Sequence, residues 1–168
     1  MEKKPLPELD RICAAFDCPG SWISSCPIPS GHINDTYCSE FNEYGRRTKY
    51  VNQRINHLVF HEPELLMENI ERVTRFAREQ IAAVGGNPDR ETLTIVPARD
   101  GKSYHRTPEG TYWRMFRYID GARTYDRVED LRHVYSASKA FGNFQKMLAE
   151  LPGERLHETI PNFHQTRK

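Results

Sequence analysis

The sequence lacks the features that would place it in a membrane, outside the cell or on a nucleic acid. No apolar run approaches the roughly 20 residues that a membrane-spanning helix needs, and no apolar segment follows the charges at its start, as a signal peptide would require. Its 24 basic and 23 acidic residues are well mixed and leave a net charge of +1. A nucleic-acid or anionic-membrane binder normally shows a local basic excess. These absences predict a soluble cytoplasmic protein with no nucleic-acid or membrane partner.

Cysteine is scarce and confined to the first quarter of the chain, at Cys13, Cys18, Cys26 and Cys38. These spacings match neither a pair of C-x-x-C zinc motifs nor a regular disulfide framework. We therefore expect reduced thiols that pack as small apolar side chains. The 168 residues, of which 38% are hydrophobic and 28% charged, have the composition of one globular domain.

The first third of the chain predicts one helix followed by extended segments. Apolar residues recur at helical spacing from Leu6 to Phe16, which predicts a short amphipathic helix. The next segments are rich in β-branched and aromatic residues and predict three strands, at Trp22–Ile28, Ile33–Phe41 and Thr48–Ile55. The sequence Asn42-Glu43-Tyr44-Gly45 predicts a hairpin turn between the second and third strands.

A longer helix and a second group of strands come next. Pro63 suits the first turn of this helix, and Gly85-Gly86 is a typical terminator. Glycine-containing turns then separate three further predicted strands, at Leu93–Pro97, Lys102–Arg106 and Thr111–Ile119. Two runs of antiparallel strands around one inserted helix indicate an α+β fold.

A long amphipathic helix is predicted to follow the sheet and to end at Pro152-Gly153. Asp126-x-x-Glu129 resembles an acidic capping box and would begin it. Gly142 inside this helix costs about 1 kcal/mol relative to alanine, so we expect a close contact there. Phe141, Phe144 and Leu148 lie on its apolar side, and their exposure would favour self-association.

The turn between the first two predicted strands has the character of a phosphate-binding turn. A tight turn of small residues lets backbone N–H groups approach a polyphosphate. We assign nucleotide contacts in this turn to six consecutive residues: Gly31, His32, Ile33, Asn34, Asp35 and Thr36.

The third predicted strand should carry a donor for the α- and β-phosphates. If Val51 lies over the adenine, Gln53 stands where a kinase would place a lysine. Arg54 is the charged alternative, but neighbouring strand residues point to opposite faces, so the two cannot both contact phosphate. The next helix offers carboxylates as partners for this donor, and Glu68 is the one assigned to the site.

The last predicted strand runs into a glycine turn before the long helix, as the hinge of a kinase does. In that layout the backbone of Arg117 and Ile119 would pair with the edge of adenine. The order of phosphate turn, donor strand, helix, meander, hinge and long helix is the order that the small lobe of a kinase requires.

Several of these segments together resemble the aminoglycoside-phosphotransferase-like kinases. The resemblance begins with GHINDTY at 31–37 and YVNQRIN at 50–56. Later strings are most similar to the N-acetylhexosamine 1-kinase branch: Val59-Phe60, LMENI at 66–70, AFGNFQ at 140–145 and ETIPNFH at 158–164. The resemblance runs from about Ile28 to the end of the chain.

The resemblance implies a kinase-like N-terminal nucleotide-binding lobe at 1–120, with a hinge and the start of a C-terminal lobe at 121–168. It implies transfer of phosphate from ATP, with Mg²⁺, to a sugar, an N-acetylhexosamine at its anomeric hydroxyl. Family members are longer and carry a His-Gly-Asp loop and acidic metal ligands, yet this sequence contains no His-Gly-Asp, Asp-Phe-Gly or Asp-x-Asp. We therefore assign no catalytic and no metal residue, and expect a fragment without turnover of its own.

Two alternatives stay open. The acceptor could be choline, homoserine or an aminoglycoside, because the acceptor pocket would lie mostly in the second lobe. The chain could also be a non-catalytic module that binds nucleotide or associates with itself.

Overall fold

The computed structural model describes residues 8–29, 31–125, 127–128 and 130–163. In chain order, these residues form the following elements: α1 (Leu9–Ala14), β1 (Ser21–Pro27), β2 (Asp35–Glu43), β3 (Arg46–Ile55), α2 (Pro63–Ala83), α3 (Pro88–Glu91), β4 (Ile95–Val96), β5 (His105–Arg106), β6 (Tyr112–Arg117) and α4 (Leu131–Leu148). The strands form an antiparallel sheet in the order β1-β2-β3-β6-β4, with β5 also paired to β6. The predicted α+β class and the predicted strand sequence are confirmed.

The hairpin between β2 and β3 forms where the sequence predicts it. Glu43 pairs with Arg46, so Tyr44 and Gly45 alone make the turn. Both have positive φ, 53° and 87°, which is the conformation of the two-residue turn that matches the twist of paired strands. The N–H of Gly45 also donates to Asn42 Oδ1 at 2.8 Å.

One face of the sheet is buried under α1 and forms the main hydrophobic core. We call it the core face. Alternate residues of β2, β3 and β6 point to it and pack against the apolar side of α1. The buried cluster comprises Leu9, Ile12, Cys13, Phe16, Cys18, Phe41, Tyr50, Val96, Ala98, Trp113 and Met115. The burial of Cys13 and Cys18 agrees with their predicted role as small apolar side chains.

Helix α2 begins at Pro63 and ends at Ala83, close to the predicted limits. Its end is a Schellman motif: the N–H of Gly86 donates to the carbonyl of Ile81 at 2.9 Å, and that of Gly85 to Ala82 at 3.0 Å. Gly85 has a φ of 75°, a conformation that glycine adopts without a steric cost.

The chain divides into two compact units: one of residues 1–71, 94–118 and 157–168, and one of residues 72–93 and 119–156. The first unit contains the sheet, α1 and the start of α2. Within the second unit, Arg78 pairs with Asp89 at 2.9 Å, and Arg72 Nη2 donates to the carbonyl of Glu154 at 2.6 Å. The lobe boundary at residue 120 stays a prediction.

The second group of strands is shorter than predicted. β5 occupies only His105–Arg106, because the preceding residues form a turn in which Lys102 N donates to Asp100 Oδ1 and Ala98 N to the carbonyl of Lys102. The short helix α3 was not predicted. The side chain of Asn87 caps it by accepting from the N–H of Asp89 at 3.1 Å.

Helix α4 begins later than the predicted capping box. Asp126 and Glu129 lie outside the described residues. The N-cap is Asp130, which is extended and whose side chain accepts from the N–H of Arg132 at 2.8 Å. The predicted start is therefore wrong, because Asp130 caps the helix instead and its side chain satisfies the N–H of Arg132.

The close contact predicted at Gly142 is also wrong. A Cβ built on Gly142 would have no described atom within 4 Å outside its chain neighbours and the backbone of its own helix. We therefore expect Gly142→Ala to raise the free energy of unfolding by about 1 kcal/mol, because it removes the backbone entropy cost of a mid-helix glycine. Urea denaturation measures this. As a control, Gly86→Ala should destabilise, because its Cβ would lie 2.7 Å from Ile81 Cγ2. A loss of stability in Gly142→Ala would contradict the account.

The predicted apolar side of α4 is largely open among the described residues. Leu131 is 82% exposed and Phe141 64% exposed, and no α4 residue is buried. Self-association through this side stays a prediction. Among the described residues, no helix combines the length and the apolarity needed to cross a membrane.

Candidate functional site

A row of three polar side chains crosses the sheet on the face opposite the core face. We call this the front face. Thr36 pairs with Gln53, and Gln53 pairs with Arg114, so β2, β3 and β6 each contribute one residue. The three side chains form a chain of hydrogen bonds. Gln53 Nε2 donates to Thr36 Oγ1 at 2.9 Å, and Gln53 Oε1 accepts from Arg114 Nε at 2.9 Å and from Nη2 at 2.6 Å.

A less polar row lies next to it on the front face. Its members are opposite one another on four strands: Cys38, Val51, Phe116 and Ile95. They stand two residues from the polar row along their strands, a distance of about 6.6 Å. The Arg114 guanidinium lies 5.4 Å from the ring centroid of Phe116. The front face therefore places an apolar strip beside a polar strip that ends in a charge.

The register decides which of Gln53 and Arg54 shares a face with Val51. Gln53 does, as strand alternation predicts. Arg54 points to the other face, where its strand partners are Asp35 and Trp113. Its guanidinium forms an ion pair with the Asp35 carboxylate. The two residues therefore lie on opposite faces, and the structure groups Asp35 with Arg54 rather than with Gln53.

The predicted phosphate turn is fastened to the end of β3 by Asn56. The N–H of Asn56 donates to Asn34 Oδ1 at 2.9 Å, and Asn56 Nδ2 donates to the carbonyl of Ile33 at 3.1 Å. Gly31 has a φ of 111°, and a Cβ built on it would meet no described atom within 4 Å beyond its chain neighbours. A cavity of about 370 Å³ lies beside this turn and is lined by His32, Ile33, Asp35, Arg54, Ile55, Asn56, His57, Leu58 and Thr111. The side chain of Asn34 and the carbonyl of Ile33 are therefore already used within the fold.

Arg114 is a charged residue of the site that the sequence pattern does not indicate. Its Nη1 lies 3.8 Å from the thioether Sδ of Met67 on α2. Burial lowers the pKa of Arg114 to about 10, which leaves the guanidinium protonated at neutral pH. No motif around Arg114 in the sequence indicates that it belongs to the site, because its position beside Gln53 depends on the register between β3 and β6.

Glu68 lies on α2 but contacts a different partner from the one predicted. Its Oε2 is 3.0 Å from His157 Nε2. The next residue, Asn69, exchanges two hydrogen bonds with the backbone of His157, both of 2.9 Å. The α2 side chain against the polar row is Met67. A role of Glu68 towards phosphate stays a prediction.

The two hinge residues fall in different units. Arg117 ends β6, and its N–H donates to the carbonyl of Thr94 at 2.9 Å. This N–H is therefore used within the sheet, and the pairing of the Arg117 backbone with adenine stays a prediction. Ile119 belongs to the unit of residues 72–93 and 119–156. Its pairing with adenine stays a prediction.

The described residues contain no metal site built from protein side chains alone. Within 8–29, 31–125, 127–128 and 130–163, no three His, Cys, Asp or Glu side chains converge as metal ligands. Mg²⁺ usually binds through one or two carboxylates together with substrate phosphates.

The fold is shared with a phosphotransferase of known structure. No protein-family model matches the sequence. The chain is similar in structure to spectinomycin phosphotransferase APH(9)-Ia, crystallised with ADP and spectinomycin, with a TM-score of 0.54 and 9% sequence identity. The match covers 90% of this chain and 40% of that one. The chain thus has the α+β fold of a kinase-like N-terminal lobe, as predicted, and spans well under half the length of this neighbour.

Proposed function

We propose that this chain supplies the nucleotide-binding sheet of an ATP-dependent phosphotransferase that acts on a small molecule. The observation that carries the proposal is the front face, where an apolar row that suits a planar base lies beside a polar row that suits phosphates. The crystal structure of the similar phosphotransferase with ADP supports it. We also propose a cytoplasmic location for the protein.

The acceptor that we propose is an N-acetylhexosamine, phosphorylated at its anomeric hydroxyl. Support comes from the strings at 66–70, 140–145 and 158–164, which resemble the N-acetylhexosamine 1-kinase branch. Mg²⁺ would accompany ATP, since it neutralises charge that develops on the phosphates during transfer. Phosphate transfer from labelled ATP to N-acetylhexosamines, choline, homoserine and an aminoglycoside distinguishes these acceptors, in the chain and in any longer natural form.

Nucleotide binding by the chain itself can be measured without turnover. We expect ATP at ten times its dissociation constant to raise the melting temperature by about 3–6 °C, because a ligand that binds only the folded state stabilises it. Adenosine at the same concentration should give a smaller shift, because it lacks the phosphates. Inorganic sulfate at matched ionic strength controls for salt effects. The absence of any shift with millimolar ATP would contradict nucleotide binding by this sheet.

A further inference from the structure

The polar row ends in a positive charge that has no counter-ion among the described residues. Ion pairs join other arginines to carboxylates, such as Arg47 to Glu40 and Arg78 to Asp89, but none joins Arg114 to a carboxylate in the described part of the chain. A desolvated charge without a partner costs free energy, so buried arginines are normally paired. Burial is the cause of the lowered pKa of Arg114.

The hydrogen bonds of Arg114 orient the guanidinium but do not neutralise it. A guanidinium carries five N–H donors. Two hydrogen bonds, from Nε and Nη2, go to the neutral amide oxygen of Gln53, and one contact goes from Nη1 to the thioether of Met67. Gln53 is held in turn by Thr36. The group is thus fixed in place while its charge and part of its donor capacity stay available.

We propose that Arg114 binds the phosphates of the nucleotide in place of a lysine on β3, and that Gln53 is its positioning residue. This inference rests on the proposed function and names the side chain whose positive charge binds the phosphates. The ligand is a polyphosphate monoester, whose anionic oxygens match the planar guanidinium. Arg54, the charged candidate suggested by the sequence, is on the opposite face and is already paired with Asp35.

If Arg114 binds phosphate, there is a physical reason for an amide rather than a carboxylate at position 53. A glutamate there would accept the same two hydrogen bonds but would also neutralise Arg114 and repel phosphate. Glutamine orients the guanidinium without supplying a competing anion. A purely structural role for Arg114 would favour the carboxylate, because charge-assisted hydrogen bonds are stronger.

Calorimetric titration of the chain with ATP, adenosine and inorganic tripolyphosphate tests the assignment. We expect Arg114→Met to weaken ATP and tripolyphosphate binding by about 10- to 100-fold, since hydrogen bonds to charged groups are lost, and to leave adenosine affinity within about twofold. Arg47→Met, an exposed arginine of β3, is the matched control and should not change ATP affinity. Arg54→Met tests the competing cation and should also leave ATP affinity unchanged.

The variant Gln53→Glu tests the role of Arg114 independently, in case Arg114→Met does not fold. We expect Gln53→Glu to raise the melting temperature and to weaken ATP binding at least tenfold, a combination that a structural role would not produce. Suppose that the wild-type chain binds ATP and that Arg114→Met or Gln53→Glu keeps the same ATP affinity. That result would overturn the role of Arg114 and leave the proposed function standing. If the wild-type chain bound no ATP or tripolyphosphate, the proposed function itself would fail, and this inference with it.

Discussion

Replacement of Trp113 by alanine will lower the free energy of unfolding by about 3–5 kcal/mol, the range for large aromatic truncations in cores. Trp113 is 2% exposed and lies on β6, between β3 and β5. Its ring lies 6.0 Å from that of Tyr37, centroid to centroid, and its Nε1 donates to Thr111 Oγ1 at 3.1 Å. The truncation would leave a cavity in the core face that the surrounding strands cannot fill without shifting.

Trp22→Ala is the matched control for this loss. Trp22 lies on the edge strand β1, is 39% exposed and makes one side-chain hydrogen bond, to Ser25. Its truncation should cost only about 1–2 kcal/mol, from one hydrogen bond and a partly buried ring. Chemical denaturation with the intrinsic fluorescence of the remaining tryptophan measures both variants. Equal losses in the two variants would contradict the position of Trp113 in the core.

Substitution of Gly20 by alanine should cost about 2–4 kcal/mol, from a strained φ and overpacking together. Gly20 precedes β1 with a φ of 87°, and a Cβ there would lie 2.1 Å from the carbonyl oxygen of Asn42. The neighbouring atoms are backbone, so relief of the clash requires a shift of β2 itself.

Gly101→Ala separates the cost of the strained φ from the cost of overpacking. Gly101 has a similar φ of 84°, but its Cβ would have no described atom within 4 Å. Only the conformational cost of a left-handed residue should appear there, about 1–2 kcal/mol. The excess cost of Gly20→Ala over Gly101→Ala in thermal or urea unfolding then measures the close approach. The absence of an excess would show that β1 and β2 do not approach as closely as the structure has them.

Local chemistry explains which parts of the fold were predictable. The hairpin at Tyr44-Gly45 and the glycine end of α2 depend on residues with positive φ, and both signals are visible in sequence. The cap of α4 was harder to place because several acids lie close together before it, and the structure uses Asp130. The expected contact at Gly142 failed because a helical glycine can also stand in open space.

The candidate site also has features that the sequence predicts and features that it does not. Strand alternation was enough to place Gln53 with Val51 and to separate it from Arg54. The pairing of Gln53 with Arg114 joins residues 61 positions apart and follows from the register between β3 and β6, which sequence periodicity does not fix. The contact of Glu68 with His157 could not be predicted either, because it joins a helix residue to a distant segment of the chain.

The central claim is that nucleotide lies on the front face with its phosphates at the polar row. Titration of isotopically labelled chain with ATP, followed by amide and arginine Nε resonances, tests it most directly. The account predicts progressive shifts at Thr36, Val51, Gln53 and the Nε–H of Arg114, with little change at the indole of Trp113 on the core face. Shifts confined to the core face or to the cavity beside Arg54, with Arg114 unperturbed, would contradict it.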